Sequence, residues 1–174
     1  TENRLNSEAF DNLIKRVSSH KKEVLLKHRE DLSTNTKLLS YICLRILLCD
    51  YLKLENQKLA FCKNENGKPY VKGNPIFFNL SHTKDAFVVA ISENEIGIDI
   101  EMHQSPSERL IDRCFTEDEA AFAKLSTENF LRIWTAKEAV LKLLGTGFSF
   151  SPKNFSVLPL EDEHKINGEK IKFF

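Results

Sequence analysis

The sequence predicts an α+β fold made of two related halves, and three observations carry that reading. Amphipathic or largely apolar helical segments occupy roughly the first third, short β-branched runs follow, and the same helix-then-strand order returns in the second half. Gly, Pro and Asn punctuation separates the short runs into hairpin-sized pieces. The apolar content of 41% over 174 residues is that of an ordinary folded chain of one or two compact units. No residue-level repeat underlies the doubled order, and the boundary is expected between residues 1–92 and 93–174.

Taken in order, "LNSEAFDNLIKRVSS" recurs in apolar residues at Phe10, Leu13, Ile14 and Val17, one helical stripe. "STNTKLLSYICLRILL" opens on several capping residues and is apolar on most faces, so it is expected to be a central helix. "ENGKPYVKGNP" has turn chemistry. "IFFNLSH" ends a strand at Ser81 and His82, and "AFVVAIS" with "EIGIDIEM" reads as an antiparallel hairpin. "TEDEAAFAKL" carries a capping box, Thr116 with Glu119. "STENFLRIWTAKEAVLKLLG" is the clearest helix, with Gly145 as its stop. "FSVLPL" and "KINGEKIKFF" are expected strands, the second turning at Asn167-Gly168.

Bulk charge narrows the function classes. With 25 basic and 25 acidic residues the chain lacks the broad positive field of a nucleic-acid or membrane-surface binder, so any anion site is local. The most apolar stretch, residues 38–52, is too short to span a bilayer and contains Arg45 and Asp50. Four cysteines without a CxxC pair suggest free thiols, and with no signal peptide in the sequence the expected compartment is the reducing cytoplasm. The only methionine is Met102, so an N-terminal segment is expected to be missing.

Two carboxylates in "GIDIE" need an explanation. In a strand, Ile96, Ile98 and Ile100 would share one face and Gly97, Asp99 and Glu101 the other. Buried without partners, the two acids would cost several kcal/mol or take up protons, so they call for a cation, whereas a half-exposed strand would leave them in water. Glu138 and Lys142 lie four apart on the clearest helix, and taken alone they read as an exposed helix pair. If that helix packs on the "GIDIE" segment, three carboxylates and an ammonium converge, an oxygen-rich set suited to Mg²⁺ beside a phosphate. Upstream, Lys68 in its turn and Ser81 with His82 offer phosphate donors, although each also suits a solvated surface.

The ordered set "NGKPY", "FNLSHT", "IGIDIE", "FTEDE" and "WTAKEAVLKLLGTGFSF" resembles the 4′-phosphopantetheinyl transferases of the single-chain, surfactin-synthetase-activating type, over roughly residues 18–157. The resemblance implies two similar α+β halves related by a pseudo-twofold, with coenzyme A as substrate in the cleft between them. It implies transfer of the phosphopantetheine arm to a serine of an apo acyl or peptidyl carrier protein, with release of adenosine 3′,5′-bisphosphate. It further implies Asp99, Glu101 and Glu138 as ligands of Mg²⁺, with Mn²⁺ a possible substitute, Glu138 as general base and Lys142 on the diphosphate. Ser81, His82, Lys21 and Lys37 match contacts to the 3′-phosphate, and Gly67, Lys68 and Pro69 match the turn beside the adenine nucleotide. Val24 stands where relatives often carry a base. The carrier is expected to dock near residues 103–125, where Arg109 and Arg113 could meet an acidic helix, and a two-half chain is expected to act as a monomer, without nucleic acid or membrane. Against this stand a Mg²⁺-dependent phosphohydrolase using the same acids and a non-catalytic protein that binds coenzyme A or a carrier.

Overall fold

The computed structural model describes residues 7–15, 17, 22–23, 26–27, 32–160 and 163–173. Five helices are labelled here: α1 (Ser7–Ile14), α2 (Leu32–Leu52), α3 (Glu108–Cys114), α4 (Glu117–Ala123) and α5 (Thr127–Leu144). Among the described residues six strands, β1 (Phe61–Lys63), β2 (Pro69–Val71), β3 (Phe77–His82), β4 (Phe87–Ser92), β5 (Glu163–Ile166) and β6 (Glu169–Lys172), pair only as three antiparallel hairpins. The mixed α and β composition is the expected one.

On α1, Phe10 and Ile14 are buried against Leu38 and Ile42 of α2, as the stripe predicts; Val17 joins them from beyond the end of the helix, and the Leu13 side chain lies outside those described. The next stretch of α2 packs Leu44 and Leu48 against Leu59, Val71, Ile76 and Phe78. This helix is less enclosed than its sequence suggests, because Ile46, Leu47 and Tyr51 remain exposed on its outer side. Among the described residues no helix is long and apolar enough to cross a membrane.

A third core, from Ile111 to Ile171, is built around α5, whose Phe130, Ile133, Val140 and Leu141 are all but fully buried. Helix α4 begins with the capping box expected at Thr116 and Glu119. Helix α5 is capped by Ser126 and ends at Gly145 in the left-handed conformation at φ 67°. The β5–β6 hairpin turns through Asn167 (φ 51°) and Gly168 (φ 85°), as the Asn-Gly pair requires.

Two expected strands are absent, and the reason is the same in each. "EIGIDIEM" does not pair with β4, which pairs instead with β3 from Phe77↔Ser92 to His82↔Phe87. The segment runs extended over α5, where a Cβ built on Gly97 would lie 2.0 Å from the Ala139 carbonyl oxygen and 2.5 Å from the Leu143 nitrogen. The Ile98 N–H donates to Asn79 Oδ1 at 3.3 Å rather than to a strand. "FSVLPL" likewise forms no ladder, since the carbonyls of Pro152 and Phe155 accept from Lys137 and the Val157 N–H donates to Glu119. Buried backbone groups need partners, and here side chains supply them.

That side-chain pair is itself fully buried. Lys137 Nζ lies 2.8 Å from Glu119 Oε2, and both side chains are 0% exposed. The Glu119 carboxylate also accepts from the Thr116 and Val157 nitrogens, both at 2.8 Å, so each charge is held by several hydrogen bonds. Burial pulls the Lys137 ammonium below its ordinary pKa, against the opposing pull of Glu119. The network fixes the face of α5 that carries Lys137 and leaves the next residue, Glu138, to the functional side.

Candidate active site

Glu138 and Lys142 project from consecutive turns of α5. The close seating of Gly97 on that helix carries Asp99 and Glu101 to it. Lys142 Nζ approaches Asp99 Oδ1 at 2.5 Å and Ser81 Oγ at 2.8 Å, and Ser81 Oγ donates to the same Asp99 oxygen at 2.8 Å. This three-way knot ties β3, the "GIDIE" segment and α5 together. Asp99 is only 4% exposed at its side chain, yet its Oδ2 has no hydrogen-bond partner.

Glu101 is held differently, its Oε1 accepting from the Trp134 indole N–H at 2.9 Å. Burial chiefly raises the Glu101 pKa, the indole bond opposes that, and the Asp99 charge adds to it. At Glu138 burial again raises the pKa, followed by repulsion from Asp99, with Lys142 pulling the other way and Glu101 adding a smaller push. The carboxylates therefore share one electrostatic field. As they stand, no three Asp, Glu, His or Cys side chains among the described residues are grouped to hold an ion. Three acids against one ammonium, with a buried carboxylate oxygen lacking a donor, are nonetheless the donor chemistry that a hard cation takes.

A cavity of about 890 Å³ opens beside this cluster. Glu138, Leu141 and Lys142 border it from α5, Gly67, Lys68 and Pro69 from the β1–β2 turn, and Tyr41, Phe61 and Phe78 from apolar walls. Gly67 holds φ 85° in the turn, where Asn64 Oδ1 accepts from the Asn66 and Lys68 nitrogens. Lys68 reaches across to α5, donating to the Leu143 carbonyl at 2.5 Å and to Glu95 at 3.3 Å. A phosphate drawing on Lys68 has to compete with those partners.

The remaining sequence-predicted residues separate. Ser81 and His82 are strand neighbours and so face opposite ways: Ser81 is buried in the knot while His82 is exposed. Lys37 is half-buried on α2 and, like His82, does not line the cavity. Lys21 and Val24 lie outside the described residues. The helical spacing of Trp134 in the sequence does not reveal its hydrogen bond to Glu101, which joins positions 33 apart.

Comparison with known proteins gives the following matches. Residues 95–171 match the 4′-phosphopantetheinyl transferase superfamily, and residues 4–95 match the N-terminal region of 4′-phosphopantetheinyl transferases. The chain is 30% identical over 158 residues to the 4′-phosphopantetheinyl transferase gsp of Aneurinibacillus migulanus, covering 88% of this chain and 66% of that protein. It is 30% identical over 166 residues to the 4′-phosphopantetheinyl transferase ffp of Bacillus subtilis, covering 91% and 73%. A shorter match, 38% over 90 residues, joins it to 4′-phosphopantetheinyl transferase AcpT of Salmonella typhi, covering 47% of each. The chain spans about two thirds of the length of such relatives, 66% of gsp and 65% of the 4′-phosphopantetheinyl transferase psf-1 of Bacillus pumilus. With residues 4–95 and 95–171 both matched and relatives 30% identical over most of its length, the chain belongs to the 4′-phosphopantetheinyl transferase superfamily.

Proposed function

We propose that this chain transfers the 4′-phosphopantetheine group of coenzyme A to a serine of an apo acyl or peptidyl carrier protein. The observation that carries the reading is the knot of Asp99, Ser81 and Lys142 beside Glu138, set at the edge of a cavity large enough for a drug-sized or cofactor-sized ligand. The serine oxygen forms a bond to the β-phosphorus, the bond from that phosphorus to the bridging oxygen breaks, and adenosine 3′,5′-bisphosphate leaves. Glu138, whose basicity is raised by burial and by Asp99, takes the serine proton directly or through water. Lys142 faces the diphosphate, with Ser81 and Asp99 holding its ammonium in place. Asp99, Glu101 and Glu138 would hold Mg²⁺, or Mn²⁺ in its place, which offsets diphosphate charge when bound. Most of the rate is then positioning and charge neutralisation.

The same reading takes the chain as two halves, 1–92 and 93–174, related by a pseudo-twofold and working as a cytoplasmic monomer. Its support is that one hydrophobic core uses only residues after 109 and the other two only residues before 92. Arg109 and Arg113, exposed and four apart on α3, suit an acidic carrier helix. The test is to incubate the chain with coenzyme A, Mg²⁺ and several apo carriers and to weigh each carrier by mass spectrometry. A gain of one phosphopantetheine on at least one carrier, lost with Asp99→Ala or Glu138→Ala, is expected; no gain on any carrier by the folded protein sinks the reading.

A further inference from the structure

Lys68 borders the cavity with two partners of different kinds, and they act differently on a ligand. Its ammonium donates to the Leu143 carbonyl at 2.5 Å and to Glu95 Oε2 at 3.3 Å. The carbonyl lies in the last turn of α5, at the negative end of the helix dipole, so it holds the ammonium in place and leaves its charge intact. Glu95 brings a full negative charge, which is also what a phosphate brings. The carbonyl is backbone and cannot withdraw. The Glu95 side chain is 59% exposed, so water receives its carboxylate when the pair opens.

The loop after β4 sets Glu95 there. The Asn94 N–H donates to Ser92 Oγ at 3.0 Å, and Glu93 accepts from the Tyr51 hydroxyl of α2 at 3.2 Å. With Glu93 tied to α2, the carboxylate two residues on meets Lys68. Two other cations at the cavity are held by groups that stay: Arg45 by the carbonyls of Asn56 and Leu59, and Lys142 by Asp99, whose side chain is 4% exposed. Of these three cations, Lys68 is the one whose anionic partner is free to leave. We propose that Glu95 is a positioning residue that tempers the cavity's affinity for phosphorylated ligands, occupying Lys68 until a phosphate takes its place. The inference rests on the reading that the cavity takes coenzyme A. As the ligand enters, its phosphate displaces the carboxylate into water while Leu143 keeps the ammonium in position. As the nucleotide product leaves, Glu95 returns to Lys68.

The experiment measures the Kd of coenzyme A and of adenosine 3′,5′-bisphosphate by calorimetry with Mg²⁺ present, at low and at high salt. Wild type, Glu95→Gln, Lys68→Met and the double variant are compared. Glu95→Gln keeps the shape and removes the charge, and an exposed ion pair is weak, so both ligands are expected to bind about threefold more tightly. The gain is expected to vanish in the Lys68→Met background and to shrink at high salt. A substitution that merely loosened the loop would weaken binding, or change it alike in both backgrounds. Either result overturns the proposal, as does unchanged affinity in Glu95→Gln. The salt comparison needs no Lys68 variant, so the test holds even where Lys68→Met does not fold. Failure of the folded wild-type chain to bind coenzyme A overturns the functional reading and this inference with it, and the wild-type titration tells that case apart.

Discussion

Asp99 accepts two hydrogen bonds at Oδ1, from Ser81 and Lys142, and none at the buried Oδ2. A buried acceptor left without a donor costs on the order of 1–3 kcal/mol. Its charge also presses on Glu138, whose pKa burial has already raised. A carboxyl that holds its proton more tightly folded than unfolded favours folding below the ordinary carboxylate range, and that contribution is lost as the pH rises through the raised value. Ionised Glu138 is therefore a net cost to the metal-free fold at neutral pH. Glu138→Gln should melt higher than wild type there, by about 2–4 °C for each kcal/mol recovered, while abolishing transfer. The gap should close as the pH falls into the carboxylate range; a gap that is constant across pH would mean that the charge is not its source. At this scale the acids and Lys142 were legible as residue types in the sequence. Which of them touch was not, because Ser81–Asp99 and Trp134–Glu101 depend on three separate segments meeting.

Between elements, the decisive contact is backbone on backbone. Gly97 lies so close to α5 that any Cβ would collide with the Ala139 carbonyl and the Leu143 nitrogen, atoms that cannot swing aside. Gly97→Ala is expected to destabilise the chain by about 1–3 kcal/mol, as overpacking does, and to lift Asp99 from Lys142. Urea unfolding and a transfer assay check both effects; wild-type values in each would show that the segment can sit elsewhere. The sequence raised the packing of α5 on the "GIDIE" segment as the condition for the acids to converge, but did not put Gly97 at the contact. Alternating isoleucines looked like a paired strand, since the pattern records which side chains point inward and says nothing of where the N–H and C=O groups go. "FSVLPL" misled in the same way, its backbone partners being Lys137 and Glu119. Helix ends and the Asn-Gly turn, where local chemistry decides, were read correctly.

Over the whole molecule, the cavity is bounded by residues from both parts of the chain, and Lys68 is a direct link between them. Its side chain, 15% exposed, packs its stem beside Gly145 and donates to the Leu143 carbonyl at the end of α5. Lys68→Met keeps the stem and removes the charge-assisted bond, so a loss of about 1.5–3 kcal/mol is expected in denaturant even without coenzyme. Unaltered stability with weaker coenzyme binding would make Lys68 a ligand contact only. Composition and charge bounded the class, and the doubled helix-then-strand order pointed to the α+β composition observed. The cross-chain link itself had no local signature.

Trp134 is the chain's only tryptophan, and it is stacked under Phe148 while bonded to Glu101. Its emission therefore originates at one place in the protein. Light absorbed there should report, without any added label, each event that disturbs that carboxylate or that ring.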